Sequence, residues 1–195
     1  IGASALKTAT TGSGSVAIGQ NALMACTTGA GNVAVGKFAG EDATTAERCV
    51  FLGIEAGKSV TTGNRNIAVG SYSLRYCTTG GNNVCIGNQS GEDITGSYNT
   101  CVGEQTGANI TTGGYNVVMG YAAYSAATTG QGNVAIGRNT LATIGAGSYN
   151  VAVGYLADDA TNHRDCVSVG SWALTANQQN AITGVGCSAL AAHTT

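Results

Sequence analysis

Proline is absent from the 195 residues, charged side chains make up 9% of them, aromatic ones 6%, and histidine occurs twice. Without proline there is no rigid linker to divide the chain. The scarce charge sums to −2, which excludes the basic footprint of a nucleic-acid binder and a polybasic patch for anionic lipid. No apolar run approaches the roughly 20 residues of a membrane span, so no membrane insertion is expected in this segment. No charged-then-apolar leader follows Ile1. His163 and His193 lack Cys or carboxylate partners at metal-ligand spacing. No stretch matches a phosphate loop or the dinucleotide fingerprint. Neither metal, cofactor nor enzymatic activity is therefore expected.

Glycine, by contrast, occurs 31 times, and its placement is regular. The stretch Asn133-Val134-Ala135-Ile136-Gly137 recurs along the chain, with anchor glycines at Gly2, Gly19, Gly36, Gly53, Gly70, Gly87, Gly103, Gly120, Gly137, Gly154, Gly170 and Gly186. These anchors lie 16 or 17 residues apart. That period is too short for two-helix repeats and fits one turn of a β-solenoid. The spacing predicts an all-β, parallel β-solenoid of about twelve 16–17-residue coils, forming one repeat-array domain over 1–195. A chain that begins and ends mid-repeat is expected to be a piece of a longer fibrous protein.

Within the anchor strand, side chains alternate between two faces. Val16, Val33, Val50, Ile67 and their equivalents, with Ile18, Val35, Leu52 and Val69, make a β-branched double row expected to fill the inside of the coil. Between these rows stand Ala17, Ala34, Phe51, Ala68, Cys85, Cys101, Val118, Ala135 and Ala152. Strands apolar on both faces are buried on both. The Ala-slot face is therefore expected to be covered by other copies of the chain, as the seam of a homotrimer running along Ala17, Ala34, Ala68, Cys85, Cys101, Ala135 and Ala152. After each anchor come two variable residues, then a small one such as Ala22 or Ala39, expected to form a second, shorter strand. A Thr-Thr-Gly turn closes many coils, as at Thr61-Thr62-Gly63 and Thr128-Thr129-Gly130. Asn32, Asn66, Asn83, Asn99, Asn116, Asn133 and Asn150 open the next strand, where stacked amides can bond in a ladder. The seven cysteines replace small residues within the pattern and are expected to be free thiols.

Ser15-Val16-Ala17-Ile18-Gly19 and Asn133-Val134-Ala135-Ile136-Gly137 resemble the repeat of trimeric autotransporter adhesin heads. They also resemble phage tail-fibre repeats of the form Asn-x-Ala-Val-Gly-x-x-Ala-Leu…Thr-Thr-Gly. The resemblance covers essentially the whole chain. It implies a left-handed parallel β-roll, three chains side by side, and an extended fibre on a cell surface or virion that bears receptor-binding surfaces. The period departs from the adhesin heads, which run nearer fourteen residues, and the longer Thr-Thr-Gly corner looks more like the tail-fibre group.

Two surface features are candidates for function. Tyr98 and Tyr115 precede the strand Asn in adjacent coils, with Tyr149 two coils further and Arg65 two coils before. Aromatic rings in a surface row suit stacking on a cell-surface glycan. The Thr-Thr-Gly rows offer an ice-binding alternative, although these threonines sit adjacent at a turn instead of alternating on a flat strand. The acidic pairs Glu41-Asp42, Glu92-Asp93 and Asp158-Asp159, and the run His163-Arg164-Asp165, are expected to be solvated corners. Trp172 stands alone among polar residues.

Overall fold

The computed structural model describes all residues except 160–161, 177–178 and 192–195, and His193 lies outside the described set. Among the described residues, eleven three-residue strands form a single parallel sheet in sequence order. They are β1 (Val16–Ile18), β2 (Val33–Val35), β3 (Val50–Leu52), β4 (Ile67–Val69), β5 (Val84–Ile86), β6 (Thr100–Val102), β7 (Val117–Met119), β8 (Val134–Ile136), β9 (Val151–Val153), β10 (Val167–Val169) and β11 (Thr183–Val185). Each strand pairs with the next in the register that the repeat dictates, Val16 with Val33 and Ala135 with Ala152. This is the parallel β-solenoid, built by a chain that returns to the same place every 16 or 17 residues.

The return is made by turns. The segment after each anchor, expected to be a second strand, is instead a run of tight turns. Ala22 N–H donates to Gly19, Met24 to Asn21 and Cys26 to Leu23, each three residues back. Asn21 and Leu23 take positive φ of 58° and 49°. The backbone still bonds outward, with Leu23 N–H donating to Ala39 and Ala25 N–H to Glu41 in the next coil. Small residues at this corner signal a tight bend as readily as a strand.

The two faces of the sheet are the reverse of the sequence expectation. Ala34, Ala68, Cys85, Cys101, Ala135 and Ala152 are fully buried within the single chain, and Ala17 is 6% exposed. These side chains lie inside their own coil, so they do not line a seam between chains. The valine and isoleucine rows point outward, with Val16 at 47%, Ile18 at 42% and Met119 at 41% exposure. The reason is the bore of the coil. A three-residue strand sends one side chain inward, and that side chain must share the interior with Leu23, Leu74 or Leu141 arriving from the turns. Where Phe51 fills the inward slot, the turn positions beside it are Gly40 and Gly57, and a β-carbon at Gly40 would stand 2.6 Å from the Phe51 ring. The Phe51 ring thus fills the space that side chains at Gly40 and Gly57 would otherwise take, as close packing requires.

The asparagine ladder is present and lies inside. Asn32, Asn66, Asn83, Asn99, Asn116, Asn133 and Asn150 are all fully buried. Asn66 donates its amide to Gly80 O at 2.7 Å, and its Oδ1 accepts the backbone N–H of Asn83 at 3.0 Å. Asn99 and Asn116 repeat the arrangement, with Asn116 Nδ2 also donating to Asn99 Oδ1 at 2.9 Å. A buried amide is tolerated because every coil supplies its partners. In the same slot Cys49 donates its thiol to Gly63 O at 3.3 Å and accepts from Asn66 N–H at 3.4 Å, replacing the missing amide in both roles.

Candidate functional site

A regular rod offers function to its surface, and the most continuous surface feature is the outward face of β1–β11. Two parallel rows run along it, from Val16 to Thr183 and from Ile18 to Val185, apolar except at Thr100 and Thr183. No charged side chain interrupts them. At about 4.8 Å per coil the stripe is roughly 48 Å long. Its members include Val35, Ile67, Ile86, Val117, Ile136 and Val169, all exposed in the single chain. A contiguous apolar patch of this extent marks an interaction surface.

The tyrosine row is assembled in part. Tyr98 and Tyr115 stack with ring centroids 4.9 Å apart and planes 6° from parallel, at 51% and 64% exposure. The stack follows from their positions one coil apart, because the coil spacing is close to a stacking distance. Each ring therefore spends one face on the other. Tyr149 is 56% exposed and is separated from the pair by the Gly132 coil. Its ring lies over that glycine, where an added β-carbon would be 2.8 Å from Cδ1 of Tyr149. Arg65 is exposed two coils on the other side, with Asn82 intervening.

A second aromatic row, not singled out in the sequence, follows the anchor glycines. Tyr121, Arg138 and Tyr155 take the first position after three successive anchors, and Trp172 the second position after the next. The Arg138 guanidinium sits 5.7 Å from the Tyr121 ring centroid and 5.8 Å from that of Tyr155. Trp172 meets Tyr155 edge-on, centroids 5.4 Å apart and planes at 82°. Trp172 is thus not alone, as the sequence suggested, but ends a row. Part of the signal was in register, since Tyr121, Arg138 and Tyr155 take equivalent positions of consecutive repeats, but Trp172 is displaced by one. Nearer the N-terminus a charge network lies at other positions of the turn, the second and fifth after the anchors. Arg75 contacts Glu55 at 2.6 Å and Glu92 at 3.6 Å, while Lys58 contacts Glu41 at 3.7 Å and Glu55 at 3.6 Å. Glu41 and Glu92 are accordingly paired, not simply solvated. The half-buried pairs lie along the rod and tie neighbouring coils together, each weakly.

The threonine corner uses the hydroxyl of its first threonine internally. Thr27, Thr44, Thr61 and Thr111 each donate to the backbone carbonyl of the equivalent threonine in the next coil, at 3.0–3.1 Å. All seven cysteines are free, and only Cys187 is exposed. Burial pushes the Cys77 thiol up to about 12, and a hydrogen bond to Cys101 together with burial raises Cys85 well above an ordinary thiol, so both stay protonated and unreactive.

One pair of ionisable groups departs from the expected solvated corners. Asp158 and His163 are both buried, with His163 Nε2 at 2.6 Å from Asp158 Oδ1. The approach is close but poorly aligned, and neither carboxylate oxygen has a well-formed hydrogen bond. Desolvation raises the Asp158 carboxyl above its ordinary value, and the His163 contact opposes that rise. Among the described residues no group of three or more His, Cys, Asp or Glu side chains is arranged to hold a metal ion. No helix among them is long and apolar enough to cross a membrane. Compared with known protein families, curated proteins and solved structures, the chain matches none at a significant level, so its reading rests on its own repeat and surfaces.

Proposed function

We propose that this chain is a segment of a homotrimeric structural or adhesive fibre, displayed outside the cell or on a virion, and assembled through the valine–isoleucine stripe. The stripe is the observation that carries the reading. Leaving it in water costs roughly 25 cal/mol for each Å² of apolar surface that association would cover. It is two side chains wide, so three copies around one axis cover it with each row meeting a different neighbour. Every chain repeats at the same coil spacing, so copies laid in register match along their whole length. The resemblance to trimeric fibre repeats points the same way.

Light scattering at micromolar concentration is expected to give three times the 19.2 kDa chain mass. Two neighbouring substitutions separate the seam from the core. Ile136→Asp, on the stripe, is expected to release folded monomers with unchanged β-type circular dichroism. Ala135→Arg, one residue away, places an unpaired charge inside the coil and is expected to unfold it. A stable monomeric parent, or an Ile136→Asp variant that stays trimeric, would end the proposal.

The exposed tyrosines support a lateral contact with cell-surface glycans, since a rod must bind along its side or at its tip. Weak contacts repeated along three chains add up. A glycan here uses the outer faces and edges of Tyr98 and Tyr115, with Tyr149 and Arg65 at either end. Alanine at both Tyr98 and Tyr115 is expected to weaken glycan-array binding with the trimer intact; undiminished binding would make this row a spacer. In the Thr-Thr-Gly rows the first hydroxyl is committed to the backbone, which leaves a single row of exposed threonines at a turn and weighs against the ice-binding alternative.

A further inference from the structure

We infer that the Tyr121–Arg138–Tyr155–Trp172 row is a second binding strip, separate from the Tyr98–Tyr115 row, and that it takes a sugar bearing a carboxylate. Four consecutive coils each contribute one side chain, so the strip spans three coil spacings, roughly 14 Å. Tyr121, Tyr155 and Trp172 are 46%, 37% and 45% exposed, and Arg138 is exposed between the two tyrosines. The guanidinium is held by the two rings alone: among the described residues no carboxylate lies within ion-pair distance and no hydrogen bond is made by its side chain. Arg75, which lies at a different position of its turn, shows the contrast, because Glu55 and Glu92 occupy its fork. The nearest acid in the Arg138 row is Glu104, two coils away and beyond Tyr121.

An arginine so placed keeps its planar fork of five N–H donors free while stacking limits its motion. Its natural counterpart is a planar carboxylate, bound through two parallel hydrogen bonds. The flanking rings ask for something further, an apolar face at a fixed distance from that carboxylate, which the C–H face of a sugar ring supplies. An acidic peptide meets the charge but brings no rigid face, and it must be ordered on binding. Sialylated and uronate-containing glycans share the required chemistry.

Trp172 is the only tryptophan of the chain, so its fluorescence reports this strip directly. The assembled protein is titrated with a sialyl trisaccharide, a uronate tetrasaccharide, the carboxyl-reduced form of the latter, and a poly-glutamate peptide. A saturable change in emission is expected with one or both acidic sugars, identifying the source, and none with the reduced form. Arg138→Gln is expected to weaken that binding at least ten-fold, and Arg138→Lys by less, with thermal unfolding and the light-scattering mass unchanged. The Tyr98 and Tyr115 double alanine variant should titrate like the parent, so failure of the first row does not mask this one. Four results would overturn the inference: no saturable change with either acidic sugar, equal binding by Arg138→Gln, equal binding of the peptide, or a Trp172 shielded from acrylamide in the assembly.

Discussion

Gly53→Ala is expected to cost the rod about 3 kcal/mol or more, far beyond the effect of an ordinary surface substitution. Gly53 has φ +136°, and a β-carbon there would stand 2.6 Å from the carbonyl carbon and oxygen of Gly70 in the next coil. Both objections are needed to understand the anchor. Positive φ by itself is common in this chain: Leu23, Arg65, Tyr98 and Trp172 all lie between 49° and 64°. The left-handed region is open to them at modest cost. The twelve anchors sit elsewhere, between 122° and 140°, where only glycine is found. Coils stack there backbone on backbone, so the strain cannot be relieved by moving a side chain. Gly31 is the control. Its φ is +69°, the nearest atom to an added β-carbon is Arg48 Cγ at 3.8 Å, and equivalent positions carry Arg65, Asn82 and Tyr98. Gly31→Asn should stay within about 0.5 kcal/mol of the parent. Urea unfolding followed by circular dichroism tests both. Because each coil touches only its neighbours, Gly53→Ala should also split the transition as the two parts of the rod uncouple. An unchanged, single transition would show that the anchors are not what sets the coil.

The repeat made the topology legible because its period fixes which residues stack. Register, strand order and the asparagine ladder all follow from placing Asn66 above Asn83 and Ile67 above Val84. Which face points inward did not follow. Alternation says only that Ala135 and Ile136 face opposite ways. Choosing between them needs the bore of the coil, and that depends on side chains such as Leu141 arriving from a turn the sequence suggested was a strand. The larger side chain looked like core; in so narrow a coil it is the smaller one that fits. The site was legible to the same degree. Tyr98 and Tyr115 repeat one residue type in one slot, which put them one coil apart; that their rings stack on each other was not expected. The Tyr121–Arg138–Tyr155–Trp172 row mixes residue types and shifts by one position at Trp172, so only the assembled coils bring it together.

Removing the buried charges of the tenth coil is expected to strengthen it, while removing one of them weakens it. Asp158 occupies the slot held by Leu141 and Leu174 in flanking coils, and its φ of +56° falls between their 51° and 57°, so the backbone there accepts leucine. His163 occupies the slot of Gly130 and Gly147. The two are buried against each other with a poorly aligned contact, and the one other side-chain partner of the pair among the described residues is Asn150, whose Oδ1 lies 3.4 Å from His163 Nδ1. Asp158→Leu with His163→Ala roughly conserves the volume, supplies the side chain that neighbouring coils use, and should stabilise by about 1–3 kcal/mol. His163→Ala alone leaves the carboxyl buried without its partner and should cost about 3 kcal/mol. The pH dependence has a definite sign. The Asp158 carboxyl is raised in the fold by desolvation, so its contribution to stability is present below the ordinary carboxylate value near pH 4 and is withdrawn as pH rises through the raised value. The double variant lacks the group and should lose that part of the slope. Amide exchange in β9 and β10 reads the local effect without requiring the whole rod to unfold. Faster exchange in the double variant than in the parent would mean that the pair stabilises this coil, and that burial of the ions is compensated by more than the contact between them.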